Sequence, residues 1–217
     1  MKTFTHKKIL LECELKEVTL NGNRHYETPG GIFPSVTTVM GWEKQKFFSQ
    51  WRKNNPEESK RVTARGTKFH KIIEDYLNNE PIDLENMLPN FKALFNLLKP
   101  ELDKIDNICA LETPMWSKIL GLAGRTDCIA EYDGKLSIID FKASTKEKRK
   151  EDIENYFLQA SAYALMYQER TNIIIDNFAI MISCEDGLKQ VFQGNPLHYV
   201  KKLKSTIEKY RKTHGIS

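Results

Sequence analysis

The sequence has 217 residues, of which 40% are hydrophobic and 29% are charged. This balance is typical of a globular domain and excludes a disordered or collagen-like chain. No apolar run approaches the roughly 20 residues that a membrane helix needs, so we expect no membrane association. The net charge of +4 is too small to indicate a nucleic-acid partner, which makes the position of the charges more informative than their sum.

The first 30 residues are predicted to form two strands joined at Asn21-Gly22, because Asn-Gly between apolar runs favours a hairpin. Three acids near the start argue against an acid-poor transit peptide, and we expect a cytoplasmic protein. These acids are Glu12, Glu14 and Glu17.

Residues 34–102 are predicted to be mostly helical. Pro34-Ser35 precedes a short helix, and Asn55-Pro56 followed by two acids is typical of a capped helix start. Further helices are expected over residues 42–51, 56–77 and 89 to about 100.

From residue 105 the pattern changes to short β-rich runs separated by glycines. Strands are expected over residues 108–116, 122–132, 135–141 and 173–183, and helices over 151–169 and 196–212. The sequence therefore predicts an α/β or α+β fold, with a mixed central sheet over residues 105–183 flanked by helices. We find no internal boundary and expect one domain over residues 1–217.

The turn predicted at Asp133-Gly134 fixes the register of two strands. If it is a two-residue hairpin turn, counting outward from it brings Asp127 directly opposite Asp140. Directly opposed residues share a face with their Cβ atoms about 4.5–5.5 Å apart, where two like charges destabilise a sheet. A bound cation would remove that penalty, although solvated or lysine-paired acids at strand ends are the alternative.

Lys142 lies two residues beyond Asp140 and therefore on the same face of the strand. Two carboxylates beside a lysine are what metal-assisted phosphodiester cleavage requires. The acids hold a hard divalent ion that acidifies a water, and the ammonium orients this water and screens negative charge.

Four segments resemble motifs of the PD-(D/E)xK nuclease superfamily, in particular its RecB-like exonuclease branch. Gly124 to Asp127 and Asp140 to Lys142 resemble its GxxD and DxK elements. Gly66 to Glu74 resembles its Gly-x-x-x-His-x-x-x-Glu helix, and Gln159 to Tyr163 resembles its QxxxY helix. The chain is most similar to stand-alone members of the mitochondrial genome maintenance exonuclease type, including phage homologues.

The resemblance implies a restriction-endonuclease-like fold with a helical, substrate-gripping insertion near the amino terminus. It implies that Asp127, Asp140 and the carbonyl of Phe141 are metal ligands, that His70 is an additional ligand and that Lys142 positions the water. The expected ion is Mg²⁺, and His70 would make Mn²⁺ an effective substitute.

Four further residues have assigned or open roles. Glu74 lies four residues after His70 on one helix face, where it either orients His70 or approaches a second ion. The resemblance implies that Gln159 and Tyr163 hold DNA phosphate; an ordinary half-buried helix is the alternative. Glu112 either supplies another carboxylate or faces solvent on an edge strand.

Residues 42–71 contain nine basic and three acidic side chains interleaved with aromatic residues. This composition is expected for single-stranded nucleic acid, which offers phosphates to cations and bases to aromatic rings. We assign Trp51, Arg65 and Lys68 to DNA binding; core aromatics beside solvated lysines are the alternative. A second basic cluster begins at Lys146 and either clamps DNA or forms a loop.

The four cysteines are widely spaced, with no CxxC pair, so buried free thiols are expected. They are Cys13, Cys109, Cys128 and Cys184. Relatives with an iron–sulfur cluster carry clustered cysteines after the QxxxY helix, so no such cluster is expected here. The sequence also lacks a Gly-x-x-x-x-Gly-Lys-Ser/Thr loop, and no use of ATP is expected.

The resulting hypothesis is a monomeric, Mg²⁺-dependent deoxyribonuclease of DNA replication, repair or recombination. It would act as an exonuclease that prefers single-stranded DNA or frayed ends, in the host cytoplasm if the chain is phage-encoded. A structure-selective or restriction-type endonuclease is the first alternative, and a non-catalytic module that binds single-stranded DNA is the second.

Overall fold

A computed structural model of the chain describes residues 2–7, 9 and 14–216. The strands of these residues form two sheets. The first sheet contains β1 (Lys16–Leu20), β2 (Asn23–Thr28) and β3 (Gly31–Pro34). The second contains β4 (Ile105–Ser117), β5 (Leu122–Tyr132), β6 (Lys135–Ser144), β7 (Asn177–Cys184) and β8 (Lys189–Gly194).

The α-helices of the described residues are α1 (Val36–Gly41), α2 (Gln45–Asn54), α3 (Pro56–Leu77), α4 (Pro89–Leu102), α5 (Glu154–Thr171) and α6 (Val200–His214). Short 3₁₀ helices occupy Trp42–Lys44, Lys150–Ile153 and Pro196–Tyr199. Residues 34–102 are therefore mostly helical, as predicted. Within the described helices, no segment is both long and apolar enough to traverse a lipid bilayer.

The first sheet is an antiparallel meander whose hairpin lies at the predicted turn. Asn21 and Gly22 have φ angles of 51° and 73°, and both values are positive, as a type I′ hairpin turn requires. Leu20 pairs with Asn23 directly across the turn. An isolated bridge between Ser35 and Ala123 ties the end of this small sheet to strand β5.

The second sheet has the order β4-β5-β6-β7-β8. Strands β6 and β7 are parallel and the other neighbours are antiparallel. Parallel neighbours need a crossover connection, which α5 provides. The predicted mixed sheet flanked by helices is confirmed.

Alternate residues of this sheet face two hydrophobic layers. Ile129 and Ile138 pack with α1, α5 and α6, whereas Cys128 and Ile139 pack with α3 and α4. The strands are apolar on both faces because both faces are covered. The sheet is therefore held between helices on both of its faces.

Helix α3 has the predicted bounds, but its start differs from the prediction. Pro56 is the first helical residue, and Glu57 and Glu58 lie in the first turn, where carboxylates favour the helix dipole. Asn55 makes no side-chain cap; its amide instead donates to the carbonyl of Trp51 at 2.9 Å. The side chain of Asn55 therefore caps the carboxyl-terminal end of the preceding helix α2.

Other element boundaries were wrong by a few residues. Helix α4 continues through Pro100 to Leu102, because the fixed φ of proline fits a helix and only one hydrogen bond is lost near the end. The strand expected from residue 173 begins at Asn177, since Asn172 is left-handed at φ 58° and the chain turns there. Strand β8 was not predicted.

The described cysteines are free, with Cys128 and Cys184 buried and Cys109 half-buried. The buried position predicted for Cys109 is therefore only partly reached. Cys13 and Glu12 lie outside the described residues.

Glu101, at the end of α4, links the helical layer to the sheet. It accepts hydrogen bonds from Tyr132 at 2.7 Å and Lys189 at 2.7 Å and pairs with Lys104 at 2.8 Å. Burial by itself raises the pKa of Glu101, but hydrogen bonds from Lys104, Lys189 and Tyr132 outweigh burial and lower the pKa to about 2.

We expect Glu101→Gln to lower the free energy of unfolding by about 1–3 kcal/mol at pH 7. The folded-state pKa lies below the ordinary value of 4.5. The stabilisation is therefore present above about pH 4.5 and is lost as the pH falls towards 2. Urea unfolding between pH 2 and 7 measures this difference, with the exposed Glu85→Gln as control. A difference that stays constant down to pH 2 would contradict it.

Candidate active site

Three carboxylates lie in one row across strands β4, β5 and β6, with Asp127 in the middle. The β5–β6 ladder runs in the predicted register from Tyr132–Lys135 to Cys128–Ile139 and ends there. Asp127 and Asp140 occupy the next position of this register, one step beyond the last pair of the ladder. The carboxylate of Asp127 accepts the backbone N–H of Phe141 at 2.9 Å, which fixes this acid against β6.

Glu112 faces Asp127 from the other neighbouring strand. The β4–β5 ladder skips both residues, pairing Leu111 with Cys128 and Thr113 with Thr126 on either side. Glu112 has a φ of 45°, a left-handed value that is uncommon for a residue with a side chain. The local distortion directs this acid towards His70, and an acid free in solvent, the alternative left by the sequence, is not what the structure shows.

His70 is carried to the row of acids by helix α3. Its Nδ1 lies 3.5 Å from Oε1 of Glu112 and 3.7 Å from Oδ2 of Asp127. One ligand atom from each of these three residues lies within 4.8 Å of the others. This spacing allows one small cation to contact all three.

Lys142 closes the other side of the row. Its Nζ lies 2.5 Å from Oδ1 of Asp140 and 3.9 Å from Oδ2 of Asp127, and it also donates to the carbonyl of Phe141 at 3.4 Å. The ammonium lies 5.2 Å from the ring centre of Tyr156. The predicted face-sharing of Asp140 and Lys142 is therefore present.

The site holds more negative than positive charge, and the pKa values reflect this. Burial, and then the charge of Asp127, outweigh Lys142 and raise the pKa of Asp140 to about 6. Burial lowers the pKa of Lys142, but Asp140 and Asp127 outweigh it and raise this pKa above its ordinary value. Burial also lowers the pKa of His70, but Asp127 and Glu112 outweigh burial and raise this pKa above its ordinary value. The cluster therefore favours the addition of positive charge.

One atom of the cluster has no partner among the described residues. Oδ2 of Asp140 is buried and makes no hydrogen bond, a situation that costs about 1–3 kcal/mol or more for a charged group. A divalent cation would satisfy this oxygen. Carboxylate oxygens suit Mg²⁺ and Mn²⁺, and an additional imidazole nitrogen is better suited to Mn²⁺, so the donor set fits a divalent ion.

These residues line a cleft of about 590 Å³ together with the other residues of the predicted motifs. Gln159 and Tyr163 reach it from buried positions on α5. Glu74 also lines the cleft, where it pairs with Lys71 at 3.4 Å. Glu74 lies outside the group of three close ligand atoms.

The profile of one known family, the PD-(D/E)XK nuclease superfamily, matches residues 44–176. The chain belongs to this superfamily. The predicted membership is therefore confirmed. The matched range contains the three carboxylates of the row, His70 and Lys142, and it also contains Gln159 and Tyr163 of α5.

Curated relatives of this superfamily member bear the name mitochondrial genome maintenance exonuclease 1. The human protein is 28% identical over 188 residues, which are 77% of this chain and 52% of the relative. The Xenopus tropicalis protein is 26% identical over 204 residues, which are 84% of this chain and 58% of the relative. The chain spans about half the length of the curated relatives it matches. A crystal structure of a candidate exonuclease from Eubacterium rectale aligns with a TM-score of 0.42 at 12% identity, covering 84% of this chain and 69% of that one.

Four residues for which the sequence suggested contact with DNA do not line this cleft. Arg65 is buried, pairs with Glu185 at 2.6 Å and donates to Thr145 at 3.1 Å. Its guanidinium therefore fastens α3 to the chain after β6, and Arg65 forms part of the buried wall of a second cavity. Lys68 lines a separate groove beside α4.

Trp51 and Lys146 complete this group. Trp51 lines this second cavity, of about 450 Å³, together with Phe47 and Phe48. Lys146 is exposed, and its carbonyl accepts a hydrogen bond from Ser144 at 2.7 Å; it lines neither cavity, whereas Lys148 lines the second.

The sequence did not predict that residues of the small sheet and its neighbours line this cleft. Arg24 and Tyr26 of β2, Thr37 of α1 and Arg125 of β5 line it. Arg125 lies inside the GxxD motif, so its closeness to the cleft could have been predicted from the sequence. The alternation of Arg24 and Tyr26 along β2 places them on one face, but the sequence does not reveal which surface that face covers.

The surroundings of Gly124 explain why the GxxD motif begins with glycine in this chain. A Cβ at this position would lie 2.6 Å from the Tyr163 hydroxyl and 3.4 Å from a methyl group of Val36. The missing side chain therefore leaves room for the Tyr163 hydroxyl directly against β5.

We expect Gly124→Ala to lower the free energy of unfolding by about 1–3 kcal/mol through overpacking. The same substitution in a Tyr163→Phe background should cost clearly less, because the clashing oxygen is gone. Urea denaturation of the four proteins measures the coupling. Gly41→Ala is the control, since its added Cβ meets nothing within 4 Å. Equal costs in both backgrounds would refute the explanation.

Proposed function

We propose that this protein is a metal-dependent exonuclease that hydrolyses phosphodiester bonds of DNA, with a preference for single strands or frayed ends. The observation that supports it most is the convergence of three carboxylates, His70 and Lys142 in one cleft of a chain from this nuclease superfamily. The names of the curated relatives support the exonuclease activity.

In this proposal, Asp127, Asp140, Glu112 and His70 hold the divalent ion, with the carbonyl of Phe141 as a further oxygen donor. When bound, the ion supplies positive charge to the phosphate and acidity to the attacking water. Mg²⁺ is the proposed ion because carboxylate, carbonyl and water oxygens suit it, and the nitrogen donor of His70 makes Mn²⁺ an effective substitute.

Lys142 acts as a cation in this proposal. Burial lowers its pKa, but the charges of Asp140 and Asp127 outweigh burial and raise the pKa above the ordinary value, which favours the protonated ammonium. It therefore orients the water by donating to it and stabilises the negative charge that develops on phosphate.

Gln159 and Tyr163 are proposed to hold the phosphate from helix α5. Burial raises the pKa of the Tyr163 hydroxyl well above its ordinary value, with the charges of Asp127 and Asp140 adding to the effect. The hydroxyl therefore remains a hydrogen-bond donor, as contact with a phosphate oxygen requires. Glu74, which pairs with Lys71, is proposed either to orient His70 or to approach a second ion.

The second cavity supports the preference for single strands. It shares Lys142 with the catalytic cleft and contains Phe47, Phe48, Trp51 and Tyr156 beside Arg52 and Lys148. Phe47 is 68% exposed and Phe48 is 46% exposed, so their rings are available to a substrate. Unpaired bases stack on such rings for about 1–3 kcal/mol each, whereas bases in a duplex are already stacked.

The test compares end-labelled linear single strands, circular single strands and blunt duplexes, each with Mg²⁺ and with EDTA. We expect Mg²⁺-dependent release of short products from linear single strands, slower release from duplex and no cutting of circles. Circles cut as fast as linear strands would instead establish an endonuclease. Tight binding without turnover would establish the non-catalytic module. The monomeric state and the cytoplasmic location stay predictions.

We expect Phe47→Ala combined with Phe48→Ala to raise KM for single-stranded DNA about tenfold through lost stacking. The KM for duplex ends should change less than threefold. Steady-state kinetics on both substrates measures the ratio. Leu88→Ala, a similarly exposed apolar side chain in another groove, is the control. Equal losses on both substrates would show that the rings do not select single strands.

A further inference from the structure

The small sheet forms a wall of the catalytic cleft. Strands β2 and β3 lie against β5, which carries Asp127, and the bridge between Ser35 and Ala123 fixes this contact. As a result Arg24 and Tyr26 of β2 face the same cleft as the acids. A substrate that reaches the acids therefore also meets the small sheet.

Four arginine and lysine side chains line this cleft, and they differ in whether their charge is already compensated. Lys71 pairs with Asp75 at 2.8 Å, and Lys142 pairs with Asp140 at 2.5 Å. Arg24 and Arg125 form no ion pair with any carboxylate that the structure describes. Both are exposed, so their charges are available to an anion.

The polar contacts of these two guanidinium groups are with neutral oxygen atoms. Arg24 donates from Nη2 to the hydroxyl of Thr37 at 2.5 Å, and Arg125 donates to the backbone carbonyl of Glu112. Each contact uses one nitrogen and leaves other donors of the fork free. A guanidinium can bind phosphate with two parallel hydrogen bonds, so both groups keep that capacity.

Arg24 is oriented by its neighbours on the small sheet. Its guanidinium carbon lies 5.9 Å from the ring centre of Tyr26, within the range of a cation–π contact. Glu17 lies opposite Tyr26 in the register of β1 and β2, and its carboxylate also lines the cleft on the side of the small sheet. Burial, Asp127 and Asp140 raise the pKa of the Tyr163 hydroxyl, and the charge of Arg24 opposes them.

We propose that Arg24 and Arg125 bind backbone phosphate of the nucleic-acid strand adjacent to the phosphate that is cleaved. The small sheet is then a second, substrate-gripping wall that contacts the strand beside the scissile bond. This proposal rests on the proposed nuclease function for its kinetic part but not for its binding part.

The binding part uses the metal-free protein in EDTA and a fluorescein-labelled oligothymidylate, with anisotropy measured over a range of salt concentrations. We expect Arg24→Ala and Arg125→Ala each to weaken binding about tenfold and to reduce the slope of log K against log salt by about 0.7. Lys16→Ala is the control, because Lys16 lies on β1 and pairs with Glu27 without lining the cleft. Unchanged slopes in both arginine variants would overturn the proposal.

The kinetic part places a single neutral methylphosphonate at successive linkages near the strand end. The wild type should lose activity at one linkage beside the cleaved bond, and Arg24→Ala or Arg125→Ala should lose nothing further there. Additive losses at every linkage would overturn the assignment. If the wild type does not cleave DNA with Mg²⁺, the proposed function fails, while the salt dependence still decides whether the arginines contact phosphate.

Discussion

Asp140→Asn and Lys142→Ala are each expected to lower kcat with Mg²⁺ by about 10²–10³-fold or more, while leaving the fold intact. In the proposed mechanism, Asn removes a negative charge that binds the ion, and Ala removes the ammonium that orients water and stabilises charge on phosphate. Single-turnover cleavage of a linear single strand measures the chemical step. Thermal unfolding followed by circular dichroism shows that the variants fold.

The controls for this prediction lie on the same β5–β6 hairpin. Asp133→Asn changes an acid at the turn, where asparagine tolerates the left-handed backbone, and Lys135→Ala removes a lysine from the far end of β6. Both should keep kcat within about twofold of the wild type. Activity of Asp140→Asn or Lys142→Ala within threefold of the wild type would show that the acid row is not the catalytic centre.

His70→Ala and Glu112→Gln are each expected to raise the concentration of Mn²⁺ needed for half-saturation by about 10–100-fold. His70 and Glu112 lie 3.5 Å apart and share Asp127 as a neighbour, so each is placed where it could supply one donor to the same ion. Titration of the protein with Mn²⁺, followed by the electron paramagnetic resonance of the free ion, measures binding without requiring turnover.

Matched controls for this titration are His198→Ala and Glu57→Gln, which change exposed residues outside the cleft. They should bind Mn²⁺ as the wild type does. Wild-type affinity in Glu112→Gln would return Glu112 to the role of an acid beside the site, and wild-type affinity in His70→Ala would leave the carboxylates as the only side-chain ligands.

Features that depend on a few neighbouring residues were predictable from the sequence. The turns at Asn21-Gly22 and Asp133-Gly134 have the required positive φ angles, and α3 has the predicted bounds. The register that follows from the second turn is correct up to Cys128–Ile139. Local backbone preference and side-chain period are sufficient for such features.

Features that depend on distant contacts were not predictable. The role of Arg65 is set by Glu185, 120 positions later in the chain, so its basic character alone suggested a substrate contact. The direction of Glu112 follows from a distortion of β4 beside Asp127. Arg24 reaches the cleft because the small sheet packs against β5, and hairpin periodicity carries no information about that packing.

The unpartnered oxygen of Asp140 links cation supply to the lifetime of the folded chain. A buried carboxylate oxygen without a hydrogen-bond partner destabilises the fold, and an ion that binds only the folded state restores stability. At a concentration 100 times its dissociation constant, such an ion adds about 2.7 kcal/mol. Cells short of divalent ions would therefore contain less folded protein as well as slower enzyme, because unfolded chains are removed by proteases.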